Sequence, residues 1–150
     1  MNNRYIFRGK GNPKYNDGEW YYGHLIYDGS DYQIVDSEYG SCKRTVIPET
    51  VGQCTGLKDK NGKWIFEGDV VRTQPFSDKP YSSKAKYKQH IGVVEYRISH
   101  FKNSIYEQDY RAEWIVNIKD YGKFTCYDWS KFFRCEVIGT VYDVFWEVER

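Results

Sequence analysis

Residues 55–71 read TGLKDKNGKWIFEGDVV. Two chemistries must be tested against this stretch before it is read as architecture. A phosphate-binding loop needs four residues between its outer glycine and its Gly-Lys pair, then Ser or Thr for magnesium. Here five residues separate Gly56 from Gly62-Lys63, and Trp64 stands at the hydroxyl position. The pair also leads into a strand-like run, which offers no helix N-terminus to an anion. A calcium loop needs oxygen ligands at alternate positions, then a glycine, then a distal bidentate Glu. Asp59-Lys60-Asn61-Gly62 brings the glycine too early and supplies two ligands at most. A turn accounts for the same residues. Asn61-Gly62 suits the positive backbone angles of a type I′ hairpin, so GLKD and WIFE pair as strands. Glu67-Gly68-Asp69 then reverses the chain into VVR, a run with alternating faces. The polar residues shape a scaffold and hold no reactant.

The same texture extends outward. Strand-like runs occur at 4–9, 19–28, 31–37, 63–67, 69–73, 92–98, 112–118, 123–128 and 135–145, separated by Gly, Asn, Asp and Pro. Asp28-Gly29-Ser30-Asp31 joins the second and third as a hairpin. Pro48 and Glu49 open a short helical turn over 47–53, and Asp128 caps another over 128–135. Many short strands at regular spacing predict a mainly β fold, a small barrel or sandwich with one or two short helices; α+β is the alternative.

The length of 150 residues fits one domain, or two lobes sharing a core at about 1–50 and 51–150. Fifteen Tyr, eight Phe and five Trp supply much of that interior. Twenty-two basic side chains balance twenty-one acidic ones, and the sequence pI is 7.6. Dedicated nucleic-acid coats are usually more basic. No apolar run reaches a membrane span, and MNNRYIFRGKGN lacks the apolar core of a secretory signal. The expectation is a soluble cytoplasmic protein with no membrane partner.

Chemistry-bearing motifs are sparse. Cys42, Cys54, Cys126 and Cys135 form no C-x-x-C pair, so free thiols are expected rather than a zinc site assembled by converging loops. There is no G-x-S-x-G elbow and no H-E-x-x-H helix. No catalytic residue, cofactor site or metal site is assigned, and an enzyme is the least favoured class.

The stretch 74–90, QPFSDKPYSSKAKYKQH, reads as a long exposed loop. Lys79, Lys84, Lys86 and Lys88 surround Tyr81 and Tyr87, against one acid, Asp78. Lysines that neutralise phosphates beside tyrosines that stack on bases would bind single-stranded nucleic acid. The plainer reading is a solvated surface loop. Phe145 and Trp146 are further candidate anchors, unless they finish a strand in the core.

Four segments resemble the YopX family of phage and prophage proteins: GEWYYGHLIYD (18–28), IPETVGQCTGLKDKNGKWIFEGDVVR (47–72), IGVVEY (91–96) and CEVIGTVYD (135–143). The loop at 74–90 and the terminal VFWEVER match no family feature. The resemblance implies a phage-derived protein in a bacterial cytoplasm with a strand-rich fold. It brings no reaction, cofactor or catalytic residue. The expected function is a non-enzymatic accessory module that binds a protein partner or itself, with single-stranded nucleic acid as the rival partner.

Overall fold

Alternating runs broken by turn residues give short strands, and a computed structural model shows ten of them. It describes residues 3–36, 42–77, 81–102, 108–118 and 134–143, with the backbone alone for 99–102 and 108–111. The described strands are β1 (Phe7–Lys10), β2 (Trp20–Tyr27), β3 (Tyr32–Asp36), β4 (Lys43–Thr45), β5 (Gly52–Lys58), β6 (Trp64–Phe66), β7 (Asp69–Arg72), β8 (Ile91–Lys102), β9 (Gln108–Asn117) and β10 (Glu136–Thr140). Two 3-10 turns, Asn3–Tyr5 and Pro48–Thr50, complete the described elements. The mainly β expectation holds, and the α+β alternative does not. Two open antiparallel sheets form, so the barrel is not the architecture.

The chain divides into two compact units. The first comprises Met1–Leu57 and Trp64–Gly68. Its sheet runs β4-β3-β2-β1-β5-β6. The β2–β3 hairpin pairs Tyr27 with Tyr32 and continues to Gly23 opposite Asp36. Its turn is set by Asp28, whose Oδ1 accepts the N–H groups of Ser30 and Asp31, both at 2.9 Å. Those bonds hold the Asp28 carboxyl below the usual carboxylate range. Ile34, Val46, Cys54, Ile65 and Phe66 are buried.

Arg8 is also buried in this unit. Its guanidinium lies 4.9 Å from the Trp20 ring centroid and 5.2 Å from that of Phe66, and Nη2 donates to the Glu67 carbonyl at 3.0 Å. A weakly hydrated planar cation between aromatic faces is a tolerable buried charge. Gly52 lies under the same carbonyl; a Cβ there would come within 2.5 Å of Glu67 O.

The second unit comprises Lys58–Lys63 and Asp69–Arg150, and its sheet runs β10-β7-β8-β9. Among the described residues Val70, Val71, Val94, Trp114, Ile115, Val116, Ile118 and Cys135 are its buried apolar side chains. Strand β7 pairs with β8 only from Val70↔Val93 to Arg72↔Ile91. Strands β8 and β9 stay paired from Val93↔Asn117 to Lys102↔Gln108. Beyond Val93 they form a two-stranded ribbon with no further strand alongside among the described residues.

The expected strand at 4–9 begins later, at Phe7, because Asn3–Tyr5 forms a 3-10 turn. The turn expected over 47–53 shrinks to Pro48–Thr50, and the chain is extended again from Gly52. The strand at 123–128 and most of the helix at 128–135 lie outside the described residues.

Candidate functional site

The Asn-Gly reversal is where polar residues converge first. Its geometry is not the two-residue type I′ turn read from the sequence. Gly62 N–H donates to Asp59 O at 3.0 Å, and Asp59 N–H donates to Lys63 O at 2.8 Å. Lys60, Asn61 and Gly62 thus form a three-residue loop, with Gly62 left-handed at φ +81°. Asp59 supplies the reason. Its Oδ1 accepts Asn61 N–H at 2.8 Å and Lys63 N–H at 2.9 Å. Its Oδ2 accepts Val137 N–H of β10 at 3.0 Å.

Asp59 is 5% exposed. Burial pushes its pKa up, but the backbone donors, Val137 foremost, outweigh burial and hold the carboxyl below its ordinary range. Lys60 N–H reaches the Cys135 carbonyl at 2.9 Å, and Lys60 Nζ meets Glu136 at 2.7 Å. The three donors to the Asp59 carboxylate are main chain of its own unit, an arrangement that builds a fold. The neighbouring Cys135 thiol is pushed up to about 12 by burial and by Asp59, so it is no nucleophile at neutral pH.

The basic loop differs. β7 ends at Arg72, and the loop base is closed by Thr73 N–H to His90 O at 2.8 Å and His90 N–H to Thr73 Oγ1 at 3.1 Å. Phe76 and Lys88 exchange backbone hydrogen bonds at 3.1 and 3.2 Å, and the Phe76 ring packs 4.3 Å from buried His90. Above this base the side chains turn outward. Tyr81 is fully exposed, Tyr87 is 60% exposed, and Lys84, Lys86 and Lys88 are all exposed. Five of the eight residues singled out from sequence therefore share one surface segment. Lys79, Phe145 and Trp146 lie outside the described residues.

Sequence reasoning missed two surfaces. Tyr96 and Ile98, 50% and 60% exposed, stand on one face of the β8–β9 ribbon. Only the strand register reveals that β7 stops short of them. The other surface is a cleft of about 390 Å³ in the first unit, lined by Trp20, Tyr21, Tyr22, Ile34, Asp36, Cys42 and Arg44. The Arg44 guanidinium sits 5.6 Å from the Tyr21 ring, and the Tyr21 hydroxyl donates to Asp17 Oδ1. That bond lowers the Asp17 pKa and raises that of Tyr21. The lining comes from three separate strands or their ends, so no local motif announces it. Cys42 is an exposed free thiol at its rim, whereas Cys54 and Cys135 are buried free thiols.

Among the described residues no group of three His, Cys, Asp or Glu side chains could hold a metal ion. No described helix is long and apolar enough to cross a membrane. What the geometry defines is a β-rich protein of two compact units whose polar Asn-Gly turn is structural and whose basic, tyrosine-bearing segment is exposed. The chain matches the family described as YopX protein over residues 7–144, and it belongs to that family. No curated protein and no solved structure matches it.

Proposed function

We propose that this chain is a non-enzymatic accessory module, of phage or prophage origin and acting in the bacterial cytoplasm, that binds a macromolecular partner through residues 81–90. One observation carries the reading: a segment closed at its base presents Tyr81, Lys84, Lys86, Tyr87 and Lys88 to solvent together. Exposed tyrosines anchor interfaces at low conformational cost, and the lysines select an acidic counterpart. A protein with an acidic surface is the preferred partner.

Single-stranded nucleic acid is the second reading, favoured by the absence of any acid within 81–90 beside three exposed lysines. If all three touched phosphates, the salt slope for a single strand would be about −2. Affinity capture of the tagged chain from phage-infected cells, with and without nuclease, separates the two. Partners retained after nuclease and lost in the Lys84→Ala, Lys86→Ala, Lys88→Ala triple variant support the protein reading. Partners that vanish with nuclease support the nucleic-acid reading. Capture unchanged by the triple variant would remove both.

A further inference from the structure

The ribbon of β8 and β9 carries a pattern that the loop does not explain. From Val94 onward β8 has β9 on one side, and no described strand pairs with its outer backbone edge. A two-stranded ribbon is marginal in water by itself, and an unprotected edge is a template for pairing. On this edge the residues read Val94, Glu95, Tyr96, Arg97, Ile98. By strand alternation Val94, Tyr96 and Ile98 share one face, and Glu95 and Arg97 share the other. Exposure on the first face rises along the strand, from none at Val94 to 50% at Tyr96 and 60% at Ile98.

The order is complementary to itself when reversed. Lay a second copy antiparallel along this edge with Tyr96 opposite Tyr96 of the other chain. Glu95 then faces Arg97 of the second chain, Arg97 faces its Glu95, and each Ile98 falls beside a Val94. Shift the centre by one residue and Glu95 meets Glu95, or Arg97 meets Arg97, and like charges directly opposite are unfavourable. Charge thus favours the Tyr96-centred register over those centred on Glu95 or Arg97. Within the ribbon Glu95 accepts bonds from Asn117 Nδ2 of β9 at 3.1 and 3.2 Å, and Arg97 lies opposite Glu113 of β9, so the cross-dimer pairs add to neighbours these charges already have.

We infer that this chain self-associates into a two-fold dimer by antiparallel pairing of the β8 edges over Val94–Ile98, centred on Tyr96. Such an interface is isologous, as most homodimers are. It does not depend on the loop at 81–90.

Sedimentation velocity on the full chain tests it by charge exchange. Wild type should sediment as a dimer within the micromolar range. Glu95→Arg alone and Arg97→Glu alone each set like charges opposite at two symmetric places, and each should weaken dimerisation about tenfold or more. Mixing the two variants restores opposite charges at all four positions, so a heterodimer of wild-type mass should reappear, read by native mass spectrometry. Should Glu95→Arg fail to fold for want of its Asn117 bond, Tyr96→Asp sets two carboxylates at the centre and should also give monomer. A monomeric wild type, single variants with unchanged association, or a mixture that stays monomeric would each overturn the inference.

Discussion

The hairpin tip at Asp59–Lys63 and the loop at 81–90 are both short, polar and lysine-bearing, and both belong to the second unit. They use those properties oppositely. At the tip, one buried carboxylate satisfies three backbone donors from two segments. In the loop, backbone bonds close the base and one turn, Ala85 N–H to Ser82 O, and the tyrosine and lysine side chains are turned to solvent. Composition does not distinguish a structural turn from a binding surface. The direction in which the polar atoms are spent does, because a buried acceptor removed leaves donors unsatisfied, whereas an exposed cation removed leaves only water.

This contrast should be easy to break. Asp59→Ala leaves up to three N–H groups without their acceptor and should destabilise the second unit by about 3 kcal/mol, measured by urea unfolding. Asp59→Asn keeps the shape and one acceptor oxygen and should cost about half of that. An unfolding midpoint unmoved by Asp59→Ala would place the tip with the loop as mere surface.

Acid should act on the same group. Asp59's folded pKa lies below its ordinary value of about 3.9, so its contribution is complete above that value and is lost as pH falls through the folded pKa. Unfolding midpoints should therefore be level near neutrality and decline below about pH 4, with a shallower decline in Asp59→Asn. Gly62→Ala probes backbone strain alone, because φ is +81° and nothing lies within 4 Å of the added methyl; a loss of about 1 kcal/mol is expected. The triple lysine-to-alanine change at 84, 86 and 88 should alter stability by no more than about 0.5 kcal/mol while abolishing partner capture. A large loss of stability there would sink the distinction from the other side.

Thiol labelling with peptide mapping sharpens the picture at the least energetic cost. Cys42 should label quickly in the native protein, and Cys54 and Cys135 only on unfolding, since both are buried and the Cys135 pKa is about 12.

Much of the strand content was legible because alternation and turn residues act locally. WYYGHLIY, YQIVD, WIF and DVVR all appear as strands close to where their patterns place them. Lys43–Thr45 was invisible, since a Lys-Arg-Thr triplet shows no apolar alternation; its edge position in the sheet makes that tolerable. β8 continues past Ile98 to Lys102 because β9 pairs it to the end, a tertiary fact that propensity does not carry. The turn type was misread because Asp59 was counted as part of a strand, when its side chain governs the reversal. The exposed tyrosines and lysines of the loop were readable from composition. The cleft was not, because Tyr21, Ile34 and Arg44 meet only once three strands have been assembled.

The Asp59–Val137 bond joins residues 78 positions apart, so the tightest-looking local feature of the sequence is completed by its far end. Closing so distant a contact is slow in entropic terms, and it cannot precede synthesis of β10. A nascent chain that has emerged only as far as the lysine loop holds the turn's glycine and aspartate but not the donor that locks them. The turn is therefore locked late: the third donor to Asp59 reaches it only once β10 has been made.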